Sequence, residues 1–438
     1  MRIAWFTPFS PRSAIGHYSE VVVGHLARDH QVTLYVPADD GDEAPRPTPH
    51  PLVVIPDLPT DALVASLGQF DAVVYNMGNF PRYHLAVYET AVRHPGVVVL
   101  HDLVMRDFFI AYTRDLLHRP ELFPALLRYA HGPDAEAHGR DVLAGLAAEW
   151  EDPRRMAYPL FLPTLRGAVG VVVHSAYARG RVSEHTPLPL AQLDFPLFGP
   201  ARQLAVAPFH PPRPADAPVK VLTFGVVNAN KLIHSTIDAI ARSPRLRKRV
   251  RFEVIGGGDK WYAAKLGEQI RRHQLEGVVT LAGWQPDDRL QAALVDADVV
   301  VNLRNPHTGE SSASLLDALV AGVPTVVWDH GFYAEFPDDV VVKIRSEAEL
   351  GPALERLVGD ADLRARMGRT AREHAVKRFD TAAYCDGLVA FLEEAFTGAP
   401  LARLADRAGD VLAELGCGPH DEATRRVGRE IARWAGDE

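Results

Sequence analysis

DVVVNLRNPHTGESSASLLDALVAGVPTVVW, residues 298–328, is the stretch on which the fold turns. Val299–Asn302 and Thr325–Trp328 are short apolar runs rich in β-branched side chains, which read as strands. Between them a Gly-Glu-Ser-Ser turn opens a helix, with Ser311 and Ser312 suited to the N-cap and first turn. Strand, helix and strand in that order make one unit of a parallel sheet with helices packed on it.

Working outward, the same alternation recurs on both sides. Val219–Phe224, Phe252–Ile255 and Val278–Leu281 are the preceding strands of this second sheet. Arg2–Phe6, Gln31–Val36, Leu52–Ile55, Ala72–Tyr75, Val97–Leu100 and Val169–Val173 form a first one. Continuous runs such as Val97–Leu100 mark strands covered on both faces. The alternation is broken at 103–166, which reads as a helical insertion, and at 187–218, where nine prolines disfavour helix interiors and central strands and leave extended backbone. The expected organisation is α/β with two Rossmann-like, doubly wound domains. Residues 1–186 form the first domain, 187–218 a Pro-rich linker, 219–378 the second domain and 379–438 C-terminal helices, the last stretch from Leu401 on a charged amphipathic helix.

Composition narrows the partners. The 438 residues exceed one ordinary core, and 47% of them are apolar. A net charge of −9 disfavours nucleic acid or an anionic membrane as the main partner, so membrane contact is expected to be peripheral at most. Cys385 and Cys417 stand far apart, in no metal-ligand or redox spacing. Met1–Ser10 has a short apolar run that reads as a strand rather than a signal peptide, and no run approaches the ~20 apolar residues of a membrane span. The expected location is the cytoplasm.

Chemistry-bearing residues collect at strand carboxyl ends, where open α/β sheets bind ligands. A helix start carries free N–H groups and about half a positive charge, so the 309–312 turn suits a phosphate; the plain alternative is a capped helix with Glu310 and Asp317 serving only its dipole. Phe224–Gly225 leads through Asn228 to Lys231 at the head of a helix, and Gly256, Gly257 and Trp284 follow the next two strand ends. In the first half, Gly16 and His17 open a helix after strand one, and Asn79, His101 and Asp102 end later strands. A hydrogen-bonded core histidine is the plain alternative for His101. There is no Gly-x-Gly-x-x-Gly, so a dinucleotide cofactor is not expected. No Asp-x-Asp occurs in the first domain, Asp39–Asp40 sits in a Gly/Pro-rich loop, and the spacing of His131, Asp134, Glu136 and His138 reads as a polar loop. No metal or other cofactor is expected.

The pattern resembles family 4 glycosyltransferases, the retaining group with the GT-B fold of two Rossmann-like domains facing a cleft. The resemblance covers roughly residues 1–395 and lies in the order and spacing of SAIGHYS (13–19), YNMGNFPRYH (75–84), HPGVVVLHDL (94–103), HS (174–175), FGVVNANK (224–231), VIGGG (254–258), LAGW (281–284) and NLRNPHTGESSASLLDALVAGVPTVV (302–327). It is strongest to a bacterial subgroup whose members build polysaccharides or decorate natural products.

That resemblance implies a nucleotide-diphosphate sugar as donor and a hydroxyl acceptor on a glycan, lipid-linked compound or natural product. Lys231, Ser311 and Ser312 would hold the diphosphate, Asp317 the ribose in place of the usual glutamate, and His101 the hexose. The implied donor set is Gly16, Gly225, Asn228, Lys231, Gly256, Gly257, Trp284, Arg304, Gly309, Glu310, Ser311, Ser312 and Asp317. His17, Asn79 and Asp102 fall on the acceptor side, and His101, Glu310 and Lys231 carry catalysis. The family's Glu-x7-Glu motif is altered: counting back from Asp317 puts its first member at Gly309, with Glu310 one residue late. Related sequences often have an acidic residue where His17 stands. Two other classes stay compatible with the residues, a catalytically silent nucleotide-sugar-binding protein and a sugar-nucleotide epimerase.

Overall fold

The computed structural model describes residues 1–38, 44–147, 152, 154–205, 217–418 and 421–435. Asp39–Asp40 and positions 206–216 of the expected linker lie outside the described residues. The first sheet comprises β1 (Arg2–Phe6), β2 (Gln31–Pro37), β3 (Leu52–Ile55), β4 (Ala72–Met77), β5 (Gly96–Leu100), β6 (Ala168–Val173) and β7 (Leu190–Gln192). They run parallel in the order β3-β2-β1-β4-β5-β6-β7. The second comprises β8 (Val219–Phe224), β9 (Val250–Ile255), β10 (Val279–Gly283), β11 (Val299–Asn302), β12 (Thr325–Trp328) and β13 (Val341–Ile344). Its order is β10-β9-β8-β11-β12-β13, again parallel.

Two compact units result: Met1–Phe195 together with the chain from Thr381 on, and Pro196–Asp380. In the first, every residue of β4, β5 and β6 is buried, as expected of strands covered on both faces. One face carries Ala4, Phe6, Tyr75 and Val98 into a core that also takes in Phe108, Phe109, Phe123, Leu127 and Phe161. The helical insertion is thus built into the first core. On the other face Trp5 donates from Nε1 to Ser19 of the helix Ala14–Leu26, at 3.0 Å. There Gly170 of β6 leaves room for Phe391 and Ala395 of the helix Thr381–Glu414, whose atoms would lie 2.8 and 3.1 Å from a Cβ.

The second unit buries Val221, Ile237, Phe252, Leu266, Val299, Val301, Val326 and Leu354 in one core. No helix among the described residues is long and apolar enough to cross a membrane.

Three expectations need correction. The proline-dense segment is not extended linker throughout: Leu190–Gln192 joins the first sheet as an edge strand, and Pro200–Leu204 is a short helix. An edge tolerates proline because only one side of the strand must donate, and the Pro189 carbonyl still accepts from Val171 at 2.9 Å. The segment from Leu401 is not a separate helix; it continues Thr381–Glu414, and after Gly416 a second helix, Glu422–Ala435, returns against it. Nor is His131–His138 a loop. Gly132 at φ 89° ends the helix Leu122–His131 and starts Pro133–Leu143; His131 Nε2 accepts from Leu160 N at 3.0 Å, and His138 is buried.

Candidate functional site

In both sheets the strand order reverses beside the first strand of the set, between β1 and β4 and between β8 and β11. Crossover helices leave opposite ways at such a point and open a crevice at the strand carboxyl ends. In the second unit the β8 side of that crevice is Gly225 and a turn ending at Lys231. Lys231 is buried, and its amine donates to the Phe224 carbonyl. Burial, reinforced by the Arg304 guanidinium, holds the amine well below the usual lysine range, while Glu310 pulls the other way. Gly225 has φ 95°, and a Cβ there would fall 2.9 Å from Lys231 Nζ, so the glycine makes room for the lysine.

The β11 side brings Arg304, Glu310 and Ser312 to the same place. Glu310 lies 3.5 Å from Arg304 Nε and accepts from the Thr308 amide at 2.7 Å and from its hydroxyl. Burial pushes the Glu310 carboxyl up, but Arg304 and the Thr308 donors outweigh it and hold it below the usual range. Ser312 caps the helix Ala313–Val320, its Oγ accepting from Leu315 N and from Asn302 Nδ2, each at 3.2 Å. The Ser312 oxygen thus serves the cap, and its O–H remains a donor. Asp317 is buried on that helix and accepts from Ala201 N at 2.9 Å. Its carboxyl is pushed up to about 8 by burial, against the Ala201 donor.

The glycines after β9 serve the backbone. A Cβ on Gly256 would sit 1.8 Å from the Gly225 carbonyl oxygen, and one on Gly258 2.3 Å from that of Val227. They let two adjacent strand ends close on each other, with Val227 N donating to Gly257 O at 2.8 Å. Gly256→Ala is expected to cost about 3 kcal/mol or more, because the clash is with main chain. A purified variant melting within about 2 °C of wild type would contradict this. Asn228 is partly buried at the same edge, and Trp284 is exposed beyond β10.

In the first unit, His101 Nε2 lies 3.0 Å from Asn76 Oδ1, with the Tyr18 ring at 4.9 Å and the His174 ring at 5.1 Å. Burial, then His174 and His84, hold His101 well below the ordinary histidine range. His84 and His174 are each lowered to about 4, chiefly by burial. The three imidazoles are neutral at pH 7, and Tyr18 is held in turn by the Tyr384 hydroxyl.

The Asn79 side chain is engaged with the insertion. Its Nδ2 donates to Asp107 and its Oδ1 accepts from Phe108 N at 3.1 Å, tying the strand end to the insertion. Asp102 accepts from the Asn79 amide at 2.8 Å. Asn79→Ala, which strands these partners, should destabilise the protein by about 1–3 kcal/mol and leave nucleotide affinity unchanged; isothermal titration alongside melting separates the two. Gly16 lies within the first turn of a helix, as the sequence indicates, and its N–H is used by Ser13 Oγ at 3.1 Å. His17 Nε2 lies 3.0 Å from the Pro11 carbonyl.

Solved structures share this architecture. Anabaena HepE in complex with UDP superposes over 90% of this chain and 100% of its own, with TM-score 0.61 at 15% identity; a complex with UDP-glucose matches equally. The fold is GT-B. Within the GT-B chain, residues 209–374 match the family model described as glycosyl transferases group 1. A putative colanic acid biosynthesis glycosyltransferase, WcaL of Escherichia coli K12, is 28% identical over 124 residues, 26% of this chain and 30% of that protein. Glycogen synthase of Mycobacterium tuberculosis is 29% identical over 182 residues, 40% of this chain and 42% of that one. The matched segments thus span less than half the length of these curated relatives.

The sequence reading did not single out His84, Tyr18 and Tyr384, nor Tyr333, whose hydroxyl lies beside Ser312 and Arg304. These reach the two GT-B crevices from helices, where apolar spacing disguises them as core; only the strand-end residues carry a positional signal.

Proposed function

We propose that this protein is a retaining glycosyltransferase that moves a hexose from a nucleoside-diphosphate sugar to a hydroxyl acceptor without a metal ion. The observation that carries the reading is the meeting of Lys231, Arg304 and Glu310 at the β8/β11 switch point, beside a capped helix start. Arg304, joined by Lys231 once an arriving anion offsets the cost of charging its amine, outweighs the one carboxylate, which fits a diphosphate. In the reaction the C1–O bond breaks with its electron pair moving to the diphosphate, while the acceptor oxygen bonds C1 on the same face and its proton passes to the departing phosphate oxygen. Lys231 and Arg304 then face the negative charge as it develops, where preorganised donors are most effective. We assign the ribose to the second Asp317 oxygen and the hexose hydroxyls to His101, whose neutral ring suits orientation rather than charge. HepE, which has the same fold, binds UDP and UDP-glucose, which supports a uridine donor as the first to try.

A thermal-shift screen against UDP, GDP, ADP, dTDP and their glucosyl conjugates tests the donor, since specific binding raises the melting point by mass action. One nucleotide is expected to respond clearly. Silence across all of them would sink the transferase reading. With an acceptor in hand, inversion at C1 of the product would rule out same-face transfer.

A further inference from the structure

Asn76 is a fully buried amide near the carboxyl end of β4, at the β1/β4 switch point. Phe6 and Tyr75 are the last paired residues of the two strands, and one step beyond them Asn76 Nδ2 donates to the Phe6 carbonyl at 2.9 Å. A carbonyl only accepts, so the orientation of the amide is fixed and the atom that meets His101 is Oδ1. That oxygen lies 3.0 Å from His101 Nε2. The main-chain carbonyl of Asn76 accepts in addition from His84 Nδ1 at 3.1 Å.

The state of the His101 ring follows from these bonds. Oδ1 has no proton to give, so Nε2 carries one and donates it. A neutral imidazole has a single N–H, and burial, with His174 and His84 adding to it, keeps this ring neutral at pH 7. Nδ1 therefore carries a lone pair. It has no hydrogen-bonding partner among the described residues, and His101 is partly exposed. The Tyr18 ring, inclined at 78°, and the His174 ring, at 42°, pack beside the imidazole.

We infer that Asn76 is a positioning residue: it fixes His101 as the Nε2–H tautomer, so that Nδ1 can only accept and the donor hexose must offer it a hydroxyl proton. This rests on the transferase reading above. Fluorine in place of that hydroxyl keeps the shape of the sugar but has no proton to give.

The test uses the full chain, isotopically labelled at the histidine nitrogens and read by nuclear magnetic resonance. The His101 signals are those missing from His101→Gln. In the wild type Nδ1 should be bare and Nε2 protonated, and Asn76→Leu, which removes the acceptor at similar volume, should show a measurable Nδ1–H fraction. Calorimetry then uses whichever of UDP, GDP, ADP and dTDP binds, its glucosyl conjugate, and the conjugates with fluorine replacing the hydroxyl at C3, C4 or C6. One of the three fluorinated conjugates is expected to bind wild type at least tenfold more weakly than the parent. That penalty should fall below twofold in His101→Ala and to an intermediate value in Asn76→Leu, with affinity for the nucleoside diphosphate alone within twofold of wild type. A proton on wild-type Nδ1, an unchanged tautomer in Asn76→Leu, or no fluorine penalty that depends on His101 would overturn the inference alone. Should Asn76→Leu fail to fold, the wild-type spectrum and the His101→Ala comparison still decide it. If none of the four nucleotides binds the wild type, the transferase reading fails and the hydroxyl contact falls with it.

Discussion

Lys231→Met should lower turnover of the sugar nucleotide by roughly 10²–10³-fold, about 3–4 kcal/mol of transition-state stabilisation, while the folded protein melts no lower than wild type. The two halves of this expectation have one cause. The amine is buried beside Arg304 and held well below the usual lysine range, so its charged form is costly until an anion arrives. Methionine keeps the volume and removes that cost. The folded value lies below the unfolded value of 10.5, so the unfolded chain binds more protons between the two. Lys231 therefore makes stability rise with pH across that window, and the variant flattens the rise. At a pH above the depressed folded value, diphosphate binding should be accompanied by proton uptake, read by calorimetry in two buffers of different ionisation enthalpy. A fall in turnover of less than about tenfold would remove Lys231 from leaving-group stabilisation.

Asp317→Asn is expected to stabilise the protein at pH 7 and to weaken the donor complex. The carboxyl is pushed up to about 8 from 3.8, so the folded state binds more protons than the unfolded one between those values. Asp317 thus lowers stability as pH rises from about 4 to about 8, the opposite slope to Lys231. Asparagine still offers an oxygen to Ala201 N and is neutral without having to take up a proton. A gain of about 1–2 kcal/mol corresponds to a rise of roughly 2–8 °C for a domain of this size, and it should vanish near pH 4. Losing the carboxylate assigned to the ribose should raise the donor KM about tenfold, or ~1.4 kcal/mol. A variant that melts below wild type at pH 7 would show that the Ala201 contact, not the buried charge, dominates.

The parts legible in the sequence share a physical reason. Strands such as Val97–Leu100 are buried on both faces and read as unbroken apolar runs. Strand-end residues such as Lys231, Arg304 and Glu310 are legible because topology alone sends them to the crevice. The apolar run of β13, VVKI at 341–344, is broken by the partly buried Lys343, as an edge strand permits, and β7 hides among prolines because the edge of a sheet relaxes the rule against them. Asn79 and Gly256 sit where a ligand-facing residue would, yet their side-chain or Cβ positions are taken by the Asp107 bond and the Gly225 carbonyl. Position at a strand end is readable in one dimension; what already fills that position is not.

The helix Thr381–Glu414 packs on the sheet of the first unit, against Gly170 and Tyr18, although the whole second unit separates it in the chain from Phe195. On the ribosome this sets an order. At about 5–20 residues per second, the first sheet waits roughly 10–40 s after its last strand is made before the helix that covers it emerges. The second unit is continuous and is complete before then. During that interval the uncovered face of β6 is the aggregation-prone surface of the nascent chain, so a chain that has emerged from the ribosome only as far as Asp380 would display a finished second unit and an unfinished first one.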